Sequence, residues 1–216
     1  VSEGNRDFDK NLRGVGGPLN VAEIRTRYEA LDRLIVAAKT IGYPHNKDYN
    51  GIVQDGFGYY QVTQKNGLRF STKKAYLQPN RKRKNLRVIT NAHVMAISLD
   101  GRRATGVTYL RQGKSYDLHA GREIILSAGA IQSPQILELS GIGEGKRLKK
   151  HGIKVQHDLV GVGQNLADHY ISRLSWQLRK NISLNDRARG LGLAAEILRY
   201  AFTRRGLLSL PAGVLS

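Results

Sequence analysis

The stretch EIILSAGAIQSPQILELSGIG, residues 123–143, decides the fold of this chain. Its residues 124–126 are all apolar, which is typical of a strand that is buried on both faces. Ser133 can cap a helix, Pro134 suits the first helical position because its missing N–H costs nothing there, and Gly141 can end the helix. The stretch therefore predicts a strand, a turn containing glycine and a helix, the repeating unit of α/β folds.

The composition is that of a folded and strongly basic chain. Its 216 residues include 35 Lys and Arg, 17 Asp and Glu and no Cys, giving a formal net charge of +18. With 40% apolar residues, the chain can form a core, and its length predicts one or two domains. No apolar run approaches the roughly 18 residues of a membrane span, so none is predicted. The lack of Cys excludes disulfides, thiolate metal sites and Cys nucleophiles.

The rest of the chain predicts helices and antiparallel strands. Apolar residues recur every three or four positions over 21–41, with Asn20 and Glu23 as a capping box and Gly42 as the stop. The alternation over 56–72 predicts a hairpin that turns at Lys65-Asn66-Gly67. Strands are predicted at 86–90, 94–99, 104–110, 115–119 and 123–127, with turns at Asp100-Gly101 and Gln112-Gly113. Short helices are predicted at 74–77 and at 146–151, the second closed by Gly152. A short strand at 153–155, a loop at 158–170 and a helix that ends at Gly206 complete the prediction.

Several functional motifs are incomplete or absent. Residues 141–146 resemble a P-loop but are one residue short, and the S-x-x-K stretch at 71–74 lacks its companion motifs. The six His include no pair four residues apart, so no metal site is predicted. The basic residues are spread along the chain apart from clusters at 81–84 and 146–150, which argues against a specific nucleic-acid partner.

Residues 129–143 resemble, position for position, the second signature of the glucose-methanol-choline (GMC) family of flavin oxidoreductases. Similar matches to family stretches occur at 16–19, 67–71, 75–77 and 161–169. The resemblance covers nearly all of the chain. Within the family, the sequence most resembles the glucose dehydrogenase branch, which passes electrons to quinones.

The resemblance implies a mixed α/β fold, with part of a doubly wound FAD-binding domain and part of an antiparallel-sheet substrate domain. It implies a linker leading to the substrate domain at 1–65, a portion of the FAD domain at 66–157 and the start of the substrate domain at 158–216. The implied reaction is oxidation of a small alcohol or sugar by hydride transfer to FAD, with quinone or oxygen as the electron acceptor.

The resemblance also implies where FAD binds. Val94 matches the position whose backbone meets the adenine, and Ser127, Ala128 and Gly129 should pass near the ADP half of the cofactor. The family's G-x-G-x-x-G and its catalytic His are not found in this sequence, so no catalytic residue is assigned and His169 is expected to fix a loop by hydrogen bonding. We expect a fragment that is inactive alone, with the G-x-G-x-x-G upstream and the His downstream.

Two alternatives remain open from the sequence. The chain could come from a family member that has lost catalysis, or be a basic binding module whose enzyme-like segments are only scaffold. The sequon at residues 181–183 is compatible with secretion and an extracellular location, but such triplets also arise by chance.

Overall fold

The structure is a computed structural model that describes residues 12–172, 175, 177–179, 182–211 and 213–215. Contacts divide the chain into two compact units, Val1–Leu86 with Leu174–Ser216, and Arg87–Arg173. The fold is mixed α/β, as predicted. The domain boundaries predicted after residues 65 and 157 stay predictions, because compact units within one chain need not coincide with domains.

The described residues form nine short strands and six α-helices. In chain order these are β1 Ala22–Glu23, α1 Glu29–Thr40, β2 Gln61–Val62, β3 Gln64–Lys65, β4 Leu68–Arg69, α2 Gln78–Asn80, β5 His93–Asp100, β6 Arg103–Arg111, β7 Lys114–His119, α3 Gly129–Leu139, β8 Ile142–Gly143, α4 Gly145–Lys150, β9 His157–Asp158, α5 Leu184–Arg187 and α6 Gly190–Thr203. In this described part, no helix is both long and apolar enough to cross a bilayer, and the longest, α6, has 14 residues.

Helix α1 of the first unit begins later than the sequence predicts. Asn20 does not cap a helix, because its side-chain amide donates to the carbonyl oxygen of Gln64. The residues that follow pair as β1 with β2, so the predicted helix loses its first two turns to a sheet contact. Its end is confirmed, since Gly42 has a φ of 97°, a conformation that glycine adopts without strain.

The turns in the same unit follow the sequence more closely. Asn66 and Gly67 both have positive φ and join β3 to β4 in the predicted hairpin. The short helix predicted to end before Pro79 continues past it, from a π-turn at Lys73–Leu77 into α2. Pro79 fits because it lies in the first turn of α2, where a backbone N–H is not needed.

The second unit is built on the antiparallel sheet β5-β6-β7, whose two turns the sequence predicts correctly. The structure assigns no strand to residues 86–90 or 123–127, so those two predictions are wrong. A strand needs a hydrogen-bonded neighbour, and none of the described strands pairs with either segment. Ile125, predicted to be buried on both sides, is 79% exposed.

Helix α3 begins at Gly129, four residues before the predicted cap. Ser133 lies inside the helix and its hydroxyl accepts a hydrogen bond from the N–H of Ala128, at 3.1 Å. The predicted stop is confirmed, because Gly141 follows the helix with a φ of 83°. Helix α4 and the loop after residue 158 are also found, but the short strand lies at β9, where it pairs parallel with β8, rather than at 153–155.

Tyr59 in the first unit provides a test of the fold by pH. Its phenol donates to Asp32 Oδ1 at 2.7 Å. Burial, this hydrogen bond and the charge of Asp32 raise the pKa of Tyr59 to about 12 from 10.0. The folded state favours the neutral phenol, so its contribution to stability is complete below pH 10 and is lost as the pH rises through about 12.

We expect Asp32→Asn to lower the pKa of Tyr59, because it removes the negative charge while leaving an oxygen acceptor in place. The measurement is an ultraviolet titration of phenolate formation, with Tyr59→Phe identifying the contribution of Tyr59 by difference. Asp55→Asn is the matched control, since Asp55 is not among the charges that act on Tyr59. An unchanged titration of Tyr59 in Asp32→Asn would contradict the assignment.

Candidate functional site

A cleft of about 190 Å³ in the second unit brings two of the predicted site residues together. It lies between the start of β5 and one face of α3. Its lining consists of Ala92, His93, Val94, Ala128, Gln132, Gln135, Ile136 and Leu139. Val94 and Ala128, which are 34 positions apart in the sequence, therefore face one space.

Packing of α3 on β5 forms the cleft. The hydroxyl of Ser140, at the end of α3, accepts a hydrogen bond from the N–H of Ile97 at 2.7 Å and donates to the carbonyl of Ile136 at 2.6 Å. Ser140 and Ile136 are both buried. This buried hydroxyl joins the helix to the strand, and it fixes the distance between the two walls.

The amino-terminal end of α3 is open. Gly129 has a φ of 91°, and a Cβ atom built on it would have no heavy atom within 4 Å in the described part of the chain. The first turn of α3 carries no acidic side chain. The free N–H groups of a helix amino terminus favour a negatively charged group, such as a phosphate.

The chemistry of the lining suits a flat, neutral ring. Ile136 and Leu139 provide an apolar surface, while Gln132 and Gln135 provide amide donors and acceptors. Among the residues that the structure describes, no carboxylate contributes to the lining. The cleft can therefore hold a heteroaromatic ring by contact and hydrogen bonding without repelling an attached anion.

The structure does not bring every predicted site residue into the cleft. Ser127 and Gly129 flank Ala128 in the chain but are not among the residues that line it. The sequence reasoning missed Gln132, Gln135 and Leu139, although their spacing of three and four residues marks one face of a helix. For all four predicted residues, contact with a cofactor stays a prediction.

A second, wider space lies on the other side of α3. It is a groove of about 810 Å³ between the helix and the segment at 161–167, which we call the central loop. On α3 the groove is lined mainly by apolar residues, including Ile131, Pro134 and Leu137. Leu166 of the central loop lies across from them and is 71% exposed.

These features define an α/β chain in which a helix that begins at a glycine packs on a sheet beside an open cleft. The GMC oxidoreductase family model matches residues 3–171. The chain therefore belongs to the GMC oxidoreductase family, and the family resemblance seen in the sequence is confirmed.

Relatives with established names include dehydrogenases of alcohols. The chain is 44% identical over 157 residues to mitochondrial choline dehydrogenase of Mus musculus, covering 73% of this chain and 26% of that protein. It is 36% identical over 214 residues to "Alcohol dehydrogenase [acceptor]" of Pseudomonas putida, covering 96% of this chain and 38% of that protein. The chain thus spans between about a quarter and two-fifths of the length of these relatives. Placement in the glucose dehydrogenase branch stays a prediction.

Solved structures show the same fold. An FAD-dependent oxidoreductase from Chaetomium thermophilum matches 99% of this chain, over 40% of its own length, with a TM-score of 0.84 and 25% identity. A formate oxidase from Aspergillus oryzae RIB40 matches 100% of this chain, over 39% of its own length, with a TM-score of 0.83 and 25% identity. These matches confirm the predicted fold class.

Proposed function

We propose that the protein carrying this chain is an FAD-dependent oxidoreductase that oxidises the CH–OH group of a small alcohol or sugar. The observation that carries this proposal is the family match over residues 3–171. The named relatives act on choline and on alcohols, according to their names. When bound, FAD would supply the hydride acceptor for the alcohol carbon.

The residues of the cleft fit the ADP half of FAD. The space beside Val94 and Ala128 has apolar walls and two amide side chains, which suits an adenine ring. The open position at Gly129 and the amino terminus of α3 suit a phosphate, because no side chain blocks the approach to the backbone. In this proposal the chain binds and orients the cofactor, and no residue described here is assigned as the catalytic base.

The electron acceptor in this proposal is a quinone or oxygen. Oxygen is favoured by similarity to an "Oxygen-dependent choline dehydrogenase" of Staphylococcus haemolyticus, 39% identical over 199 residues. A quinone is favoured by the resemblance to the glucose dehydrogenase branch. The two acceptors can be separated directly by assay.

The test is to purify the protein from its complete reading frame and analyse the bound cofactor. We expect a yellow protein that releases FAD on denaturation, identified by chromatography against FAD and FMN standards. Choline, simple primary alcohols and sugars are then assayed with a quinone and, in an oxygen electrode, with oxygen alone. We expect turnover of at least one substrate class.

The outcomes separate the proposal from its alternatives. A protein that binds FAD but turns over no substrate would indicate a family member that has lost catalysis. A protein without bound flavin that also fails to bind added FAD would contradict the proposal. In that case, a binding role for the basic chain becomes the better hypothesis.

A further inference from the structure

Arg147 connects three separate parts of the second unit. It lies on α4, and its Nη2 donates to Oε1 of Glu138 on α3 and, at 3.1 Å, to the carbonyl oxygen of Val162 in the central loop. The two side chains are only 33% and 25% exposed, respectively. Partial burial and a charged acceptor make this contact stronger than an ion pair on an open surface.

Hydrogen bonds hold the segment that leads to the central loop against the turn between helices α3 and α4. The bond from Arg147 to Val162 is the last of this series. The N–H of Gln156 donates to Gly141 O at 2.8 Å, and that of Leu159 donates to Gly143 O at 2.9 Å. The described hydrogen bonds of residues 163–170 are all local and reach neither helix. Arg147 is thus the final anchor before the exposed part of the central loop.

Gly163 shows how closely the loop passes over this pair. A Cβ atom at Gly163 would lie 2.8 Å from Glu138 Oε1 and 3.1 Å from Arg147 Nη2. The residue also has a φ of +76°, which favours glycine. The backbone of the loop therefore lies directly against the ion pair, so the position of the pair limits where the loop can lie.

The central loop forms one wall of the 810 Å³ groove, and α3 forms the other. Helix α3 is also the wall of the cleft at Val94 and Ala128. We propose that Arg147, held in place by Glu138, is a positioning residue that sets the central loop relative to α3 in the active enzyme. This inference rests on the proposed function for its effect on the reaction, and on the contacts alone for the anchoring of the loop.

Hydrogen exchange by mass spectrometry tests the anchoring in the purified full chain. The N–H groups of Val162 and Gln164 donate locally to the carbonyl oxygens of Leu159 and Gly161. We expect Arg147→Ala to speed exchange of these two amides by at least about tenfold, because the loop that they hold together loses its hydrogen bond to a charged group. Lys149→Ala is the matched control, since Lys149 is an exposed cation on the same helix. It should change the same amides by less than about twofold.

An apolar replacement of the ion pair separates positioning of the loop from simple pairing of the helices. Glu138→Leu combined with Arg147→Met restores a packing contact between α3 and α4, but neither side chain can donate to the carbonyl of Val162. We expect the double variant to recover thermal stability relative to Arg147→Ala while exchange over 161–164 stays fast. If exchange returns to the wild-type rate, the pair only joins the helices and the inference is overturned.

Steady-state kinetics then test the role in the reaction. Relative to Lys149→Ala, Arg147→Ala should raise KM more than it lowers kcat, because fewer molecules hold the central loop in the arrangement of the active enzyme. The FAD content should not change. Equal kinetics in both variants would overturn the positioning role. A wild-type protein without FAD or turnover would defeat the proposed function instead, and the exchange result would still decide the anchoring.

Discussion

Gly141→Ala should lower the free energy of unfolding of the second unit by about 3 kcal/mol, as the sum of backbone strain and overpacking. Gly141 has a φ of +83°, and a Cβ atom there would lie 2.4 Å from the carbonyl oxygen of Lys154. The obstructing atom belongs to the backbone and cannot rotate away. The carbonyl oxygen of Gly141 accepts hydrogen bonds from the N–H groups of Gln156 and His157, so a shift of the backbone at residue 141 would also weaken these bonds.

Gly152→Ala is the matched control for this effect. Gly152 follows α4 with a φ of +71°, but a Cβ atom there would meet none of the described residues within 4 Å. It carries the backbone strain without the steric contact, and we expect a loss of about 1 kcal/mol. Urea unfolding of both variants measures the difference. Equal losses in the two variants would show that the close approach of residues 141 and 154 does not contribute.

The sequence predicts well what depends on neighbouring residues. The turn at Asn66 and Gly67 and the stops at Gly42, Gly141 and Gly152 are all present, because a positive φ is a property of the residue itself. The hairpins of the β5-β6-β7 sheet are also predicted correctly, because each strand pairs with the next one along the chain.

The wrong predictions concern segments whose structure depends on residues far away in the sequence. Asn20 has the sequence of a helix cap, but its amide bonds to Gln64, 44 positions away. Residues 123–127 have the composition of a buried strand, but composition cannot supply the neighbour that a strand needs. Ser133 has the sequence of a cap before a helix and instead accepts the N–H of Ala128 from inside it.

In the candidate site, some features could be predicted from the sequence and others could not. Val94 and Ala128 were predicted from the family resemblance, and the structure places both on one cleft. The amides of Gln132 and Gln135 could also be predicted from the sequence, because their spacing places them on one face of a helix. The anchoring of the central loop by Arg147 was not predictable from sequence, because Glu138 and Val162 meet it only through the turns between three elements.

Gly129→Asp should weaken FAD binding on the order of a hundredfold, if the proposed ADP site is correct. Gly129 begins α3, and the space that its Cβ would enter is open. A carboxylate at this position would repel a phosphate and occupy the path to the helix amino terminus. Two like charges near a protein surface repel by about 4 kcal/mol at 4 Å, which is more than enough for the expected loss.

The control is the same substitution at another glycine with a positive φ. Gly113 lies in the turn between β6 and β7 with a φ of +74°, and a Cβ atom there would also have no heavy atom of the described residues within 4 Å. Gly113→Asp should therefore cost similar backbone strain while leaving FAD binding within about twofold of wild type. Titration of the apoprotein with FAD, followed by flavin fluorescence, measures both constants. Because both positions have a positive φ and gain the same charge, a selective loss in Gly129→Asp would assign the effect to the position itself. Equal affinities would place the anionic part of the cofactor away from Gly129.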